Sequence, residues 1–294
     1  MRILWICNIM PPLVAEHMHL PGSNKEGWID GIMRKLLSEN GRAEGNDKIA
    51  DPDRQIELSI AFPVDESMEG LAEEICFEGR KFTAYGFYED TANPENYDEK
   101  TEVHIKQIIE KVSPNVIHIF GSEYGHAMAA VKAAPDKDKV LIGIQGLIYL
   151  YAKVYMSQIP ESVINRVTFR DFVKKDSLKK QQNKFEIRGE REIKAIEMAG
   201  NITGRTPWDY ENTISINPDE EYYKMNETLR ERFYEGRWDR KNAKSHTIFM
   251  SQGDYPIKGL HFMLIAMSRL KDKYPDIHLN VAGNVIIRTG LLSF

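Results

Sequence analysis

The run Val116-Ile117-His118-Ile119-Phe120 is short, apolar and rich in β-branched residues, the pattern of a strand buried on both faces. Gly121 and Ser122 break it, and Glu123, Tyr124, Gly125 and His126 follow. Ala127 to Ala134 then reads as a helix of small residues, ended by Pro135. A strand, a polar loop and a helix in that order make the repeating unit of an open parallel sheet. The loop leaving the carboxyl end of such a strand faces the ligand crevice. His126 stands where the helix begins, and free N–H groups and the helix dipole favour anions there. By residue type alone His126 reads two ways, as a capping or solvated residue or as one that touches chemistry. His118, inside the strand, reads first as a satisfied core imidazole.

The same unit recurs along the chain. Ile3 to Cys7 is a strand. The loop after it holds Pro11, Pro12, His17, His19, Gly22 and Gly27, and the helix that follows carries Trp28, Ile29, Ile32, Met33, Leu36 and Leu37 on one face. Gly22 and Gly27 have the spacing of a phosphate-binding loop, but Trp28 and Ile29 stand where Lys and Ser or Thr would be needed. The two glycines still permit close backbone approach to a phosphate. His17 and His19 have no third ligand at a recognisable spacing, so no metal is expected. Ile56 to Phe62 and Lys81 to Phe87 read as further strands, and Asp90 to Asp98 as a loop. Ile105, Ile108, Ile109 and Val112 mark an amphipathic helix ended by Ser113-Pro114. Lys139 to Ile144 is another buried strand, closed by Gln145-Gly146. Asn201 to Thr203 is a brief one, followed by Gly204-Arg205-Thr206-Pro207-Trp208-Asp209. Arg205 reads either as a clamp for phosphate or carboxylate or as a structural arginine paired to a carboxylate.

The 294 residues, 42% of them hydrophobic, suffice for two ordinary domains. A formal net charge of -5 implies no general attraction to nucleic acid. The two cysteines, Cys7 and Cys76, form no C-x-x-C pair, and a reducing cytosol suits them. No apolar run approaches the ~20 residues that span a bilayer. One stretch stands out by charge: Arg166 to Lys184 holds seven basic residues against two acidic ones, with Phe169, Phe172, Val173 and Leu178 interleaved. That pattern suits an anionic membrane surface or a phosphate-bearing acceptor, and equally a solvated helix face.

Residues 211 to 244 read as a polar connector, with Glu227 to Tyr234 helical. His246 to Met250 begins a second domain. A polar loop, Ser251 to Gly259, and a helix from Leu260 to Leu270 follow, and Ile277 to Gly283 is a strand; the three make a β-α-β unit and so a parallel pair. The expected division is 1–210, a connector at 211–244, and an incomplete second domain at 245–294.

Three stretches together resemble the retaining glycosyltransferases of family four, or group 1, and in particular a bacterial branch devoted to surface polysaccharides. They are His118 to His126; Gly204 to Asp209, with Glu227, Leu229, Arg230, Phe233, Tyr234 and Trp238 following; and Lys258-Gly259-Leu260 before an apolar helix and the strand ending Ala282-Gly283-Asn284. The resemblance implies the GT-B architecture, an α/β fold with a Rossmann-like N-terminal acceptor domain and a second Rossmann-like, donor-binding domain, here only begun. It implies a nucleotide-diphosphate sugar as donor substrate, with no cofactor, and a glycan or lipid-linked acceptor. His126 would reach the transferred sugar, with Glu123, Tyr124 and Trp208 in the acceptor cleft. Lys258 and Gly259 would hold the diphosphate, helped by Arg205, Gly22 and Gly27. The location expected is cytoplasmic, with peripheral contact at the inner face of the membrane. Measured against the family the second domain looks truncated, so weak donor binding is expected. Two other readings stand beside this one: an acceptor-binding fragment without turnover, and a nucleotide-sugar 2-epimerase of the same fold.

Overall fold

The computed structural model describes residues 1–22, 27–39, 56–229, 232–253 and 255–283. The chain gathers into two compact units, one of Met1–Tyr149 with Phe185–Glu235, the other of Leu150–Lys184 with Gly236–Phe294. The first unit is a Rossmann-like α/β sheet. Its strands are β1 (Arg2–Ile6), β2 (Glu57–Val64), β3 (Ala72–Phe77), β4 (Arg80–Tyr88), β5 (Val116–Phe120), β6 (Val140–Gly143), β7 (Asn201–Gly204) and β8 (Glu221–Lys224). They lie in the order β3-β4-β2-β1-β5-β6-β7-β8. All neighbours are parallel except β3 and β4.

The central strands are apolar on both faces because helices cover both faces of a parallel sheet. Leu4, Trp5 and Ile6 of β1 are buried, as are Ile117, Ile119 and Phe120 of β5. Helices α1 (Pro12–His17) and α2 (Gly27–Glu39) follow β1. Ile29, Met33 and Leu37 of α2 pack into one core with Trp5, Ile60, Phe62 and Phe120. Helix α3 (Glu99–Val112) is capped by Asp98, whose carboxylate accepts from the Lys100 N–H, and it ends at Ser113 in the left-handed region at φ 47. It packs along α4 (Gly125–Ala133), a helix whose Ala127, Ala129 and Ala130 are fully enclosed. The remaining helices are α5 (Ile148–Val154), α6 (Glu161–Ile164), α7 (Phe169–Lys174), α8 (Leu178–Met198), α9 (Pro207–Ile214), α10 (Arg232–Glu235) and α11 (Leu260–Leu270).

The chain winds outward from β1 through β2 to β4, then returns to the other side of β1 to build β5 through β8. The order of crossovers therefore reverses between β1 and β5, and the loops after these two strands flank the crevice that such a switch opens.

Three features depart from the sequence expectations. Strand β3 was not expected. It is an edge strand that pairs antiparallel to β4 through a tight turn in which Glu78 (φ 49) and Gly79 (φ 79) both take positive φ, the twist that suits a two-residue hairpin. The stretch read as a connector contains β8, which pairs with β7, so residues up to Glu235 pack with the first unit. The helix expected over Glu227 to Tyr234 is confined to the short α10. Residues 150–184 pack with the second unit, although they precede β7 in the chain.

In the second unit β9 (Thr247–Met250) and β10 (His278–Val281) pair in parallel through α11, as the β-α-β reading requires. Phe249 and Leu264 of that unit are more than half exposed.

Candidate functional site

Every parallel strand of the first unit ends on one edge of the sheet, and two polar features occupy that edge. The first lies at the switch point. Asn8, just past β1, donates from Nδ2 to Oε1 of Glu123, in the loop past β5, at 2.8 Å. The Oδ1 of Asn8 lies 2.9 Å from Nε2 of His126. The other ring nitrogen, Nδ1, lies 2.5 Å from Oε2 of Glu89, the residue after β4. Oε1 of Glu89 also accepts the His126 backbone N–H at 2.9 Å, so this carboxylate closes the open N-terminus of α4. The His126 side chain is fully buried and lies parallel to the Tyr124 ring at 5.7 Å.

Two glycines make room for this network. Gly121 has φ 93, and a Cβ there would meet Glu123 Oε2 at 2.3 Å and Asn8 Nδ2 at 2.6 Å. At Gly125 a Cβ would lie 2.8 Å from Glu89 Oε1. Beside the network Ser122 donates to Oε1 of Glu192 in α8 at 2.6 Å, and Oε2 of Glu192 accepts the Tyr149 N–H at 2.9 Å.

Burial and partners set the charges here. Burial opposes ionisation of Glu89, but the charge and hydrogen bonds of His126, with Arg191 nearby, hold its carboxyl below the usual range. Burial raises Glu123, against the pull of backbone N–H groups, Arg188 and His126. Burial also lifts Glu192 to about 7, against its bonds from Ser122 and the Tyr149 and Ile148 N–H groups, with Glu123 adding to the rise. His118 is driven down to about 3 by burial alone, so it is a neutral core imidazole, stacked on Phe120 at 3.9 Å.

The second feature is an open cleft of about 240 Å³ beyond the ends of β5 through β8, lined by Trp28, Phe120, Gly143, Gln145, Thr203, Arg205 and Glu227 among others. Arg205 Nη1 pairs with Glu227 Oε1 at 2.8 Å, and Nη2 donates to the Gln145 carbonyl at 3.1 Å. The backbone turns sharply into α9. Asp209 Oδ2 accepts the N–H groups of Arg205 and Thr206, and the Thr206 hydroxyl accepts the Asp209 N–H. This is a capping box with Pro207 at the first helical position.

The structure thus brings His126, Glu123 and Tyr124 together, and sets Arg205 in the neighbouring cleft. The resemblance placed His126 against a transferred sugar. In the structure its ring has no exposed surface and both nitrogens are engaged, so its physical role is to order the switch point. Arg205 takes the paired alternative, spending its donors on a carboxylate and a carbonyl. Trp208 is 42% exposed in the first turn of α9. Gly22 is open, with nothing within 4 Å of an added Cβ, and Gly27 is the buried first residue of α2. Lys258 and Gly259 belong to the second unit. Lys258 closes a 3-10 turn with its ammonium 5.3 Å from the Tyr255 ring centre, and Gly259, at φ 76, opens α11. Arg230, Glu231 and Asn284 lie outside the described residues.

Sequence reasoning passed over Asn8, Glu89, Glu192, Gln145 and Thr203 as site residues. Asn8, Glu89 and Gln145 each stand within two residues of a strand's carboxyl end, and the crevice rule applied to every strand would have found them. Glu192 is one of several glutamates in α8, and no sequence signal separates it from the others.

No protein-family model matches this chain. No curated protein matches it either. Among solved structures it is similar to the UDP-N-acetylglucosamine 2-epimerase of Rickettsia bellii, with TM-score 0.39 and 10% identity over 96% of this chain and 62% of that one. It is similar also to the UDP-GlcNAc 2-epimerase of Neisseria meningitidis bound to UDP-GlcNAc, with TM-score 0.45 and 12% identity over 97% of this chain and 67% of that one. The sucrose-phosphate synthase of Thermosynechococcus elongatus matches with TM-score 0.48 and 9% identity, over 97% of this chain and 71% of that one. The chain therefore spans 62% of the length of the first of these proteins. No helix among the described residues is long and apolar enough to cross a membrane.

Proposed function

We propose that the chain is a glycosyltransferase that moves a sugar from a nucleotide-sugar donor to a glycan or lipid-linked acceptor, with retention at the anomeric carbon, in the building of a surface polysaccharide. One observation carries the reading. The three stretches behind the family resemblance each follow a parallel strand at its carboxyl end: Gly121 to His126 after β5, Arg205 to Asp209 after β7, and Lys258-Gly259 after β9. Ligands of open α/β sheets bind at those ends.

In this proposal the leaving diphosphate gathers negative charge, and Lys258 with the α11 N-terminus stabilises it. Gly22 and Gly27 give backbone access to the donor. His126 acts as a positioning residue, holding Asn8, Glu123 and the start of α4 in place so that the acceptor hydroxyl meets the anomeric carbon. Contact with an anionic membrane through residues 166–184 brings a lipid-linked acceptor within reach.

The test incubates the chain with uridine and guanosine diphosphate sugars, with and without lipid-linked or glycan acceptors, and resolves products by mass spectrometry and anomeric NMR couplings. Acceptor-dependent transfer with the donor's anomeric configuration is expected. Epimerised donor in the absence of acceptor would replace the proposal with the epimerase reading. Binding of acceptor with no turnover would replace it with that of a binding module.

A further inference from the structure

The cleft beyond β5 to β8 contains more recognition chemistry than the packing of the first unit uses. The Thr203 side chain is 1% exposed, and its hydroxyl has no partner among the described residues. The Gln145 side-chain amide nitrogen is likewise enclosed and unpartnered. Buried polar groups are nearly always satisfied, so two orphans lining one cleft point to a ligand that supplies their partners. Beside them the Arg205–Glu227 pair offers donors and an acceptor side by side. Trp28 and Phe120, edge to face with ring centres 5.5 Å apart, give the cleft an apolar wall.

We infer that this cleft is a subsite for one neutral pyranose ring, the terminal sugar of the acceptor. The inference rests on the proposed transfer reaction and specifies its acceptor. Three observations narrow the ligand. The volume, about 240 Å³ including its open mouth, lies below the ~300 Å³ at which pockets for drug-sized ligands begin, so a whole nucleotide-sugar is too large. The one cation on the wall is matched at 2.8 Å by a carboxylate, so no surplus positive charge remains for a phosphate. An aromatic wall facing a few hydroxyl-matching donors and acceptors suits a ring that is apolar on its faces and polar on its rim. The inference also gives Arg205 a different task from the diphosphate clamp the sequence suggested.

The test titrates methyl glucoside, methyl galactoside and methyl mannoside into the full chain, read by saturation-transfer NMR. Uridine and inorganic pyrophosphate are added as competitors. At least one glycoside is expected to bind and to resist displacement by either competitor. Glu227→Gln and Thr203→Val are each expected to weaken it roughly tenfold, the loss of one good hydrogen bond to a charged or buried group. The inference is overturned if no glycoside shows transfer, if both variants fold and bind it unchanged, or if uridine or pyrophosphate displaces it. Should a variant fail to fold, the competition arm on the parent chain still decides. Glycoside binding without donor turnover would remove the proposed reaction and leave the subsite. Turnover with no glycoside binding at the cleft would do the reverse.

Discussion

Glu89 holds two N–H groups of one residue, the backbone and the ring of His126, and no other side chain among the described residues takes its place at the head of α4. Glu89→Ala leaves both without an acceptor, and unfolding in urea should show a loss of about 2–4 kcal/mol. A loss under about 0.5 kcal/mol, the ordinary range for a surface change, would mean the pair is incidental. Glu192 is a test of the opposite sign. Its carboxyl is raised from an ordinary 4.5 to about 7. The stability contributed by the neutral acid is therefore full below pH 4.5 and is lost as pH rises through about 7. Glu192→Gln does not titrate, so the difference in stability, parent minus variant, should fall steadily from pH 5 to pH 8. A flat difference would place the buried carboxyl back in the ordinary range.

At the scale of elements, α9 depends on its capping box, and Thr206→Ala should cost about 1 kcal/mol in denaturant unfolding. The turn before it also requires Gly204, because a Cβ there would sit 2.5 Å from the Tyr222 hydroxyl. Helix α7 presents Phe169 at 69% and Phe172 at 74% exposure. Lys174, Lys175, Lys179 and Lys180 follow it within a few residues. Exposed aromatics and lysines together suit the boundary of an anionic bilayer. The chain is expected to sediment with phosphatidylglycerol vesicles and not with phosphatidylcholine vesicles. Replacing both phenylalanines by serine, or the four lysines by glutamate, should each weaken that binding at least tenfold, at roughly 1 kcal/mol per lysine near the surface. Equal sedimentation by parent and variants would make the stretch an ordinary solvated face.

At the scale of the whole molecule, Lys258 lies in the second unit and the switch-point network in the first. Removing the ammonium should therefore affect turnover without affecting the first sheet. Lys258→Ala is expected to lower kcat/KM for the nucleotide-sugar by roughly 10²–10³, the usual effect of deleting one group that stabilises developing charge. Unchanged kinetics would assign the diphosphate to other residues. Circular dichroism of the same variant should match the parent.

Much of this molecule was legible in the order of its residues. The strands with continuous apolar runs, β1, β2, β5 and β6, and the amphipathic α3 announce themselves, because burial on two faces and a 3.6-residue period leave direct marks in sequence. The parallel pairing of β9 with β10 follows from the helix between them. Elements whose stability comes from a neighbour were not legible. Strand β8 is four residues of mixed polarity that are ordered by β7, and β3 carries mainly exposed residues on a sheet edge. The site divides in the same way. Sequence alone placed His126, Glu123 and Arg205 at strand ends. Only the tertiary structure decided that His126 is enclosed between Asn8, 118 positions away, and Glu89, 37 away, and that Arg205 is neutralised by Glu227. A strand's apolar pattern is a property of its own residues. A buried hydrogen bond or ion pair needs a partner that chain order does not specify, and its energy exists only once folding has removed water from both groups.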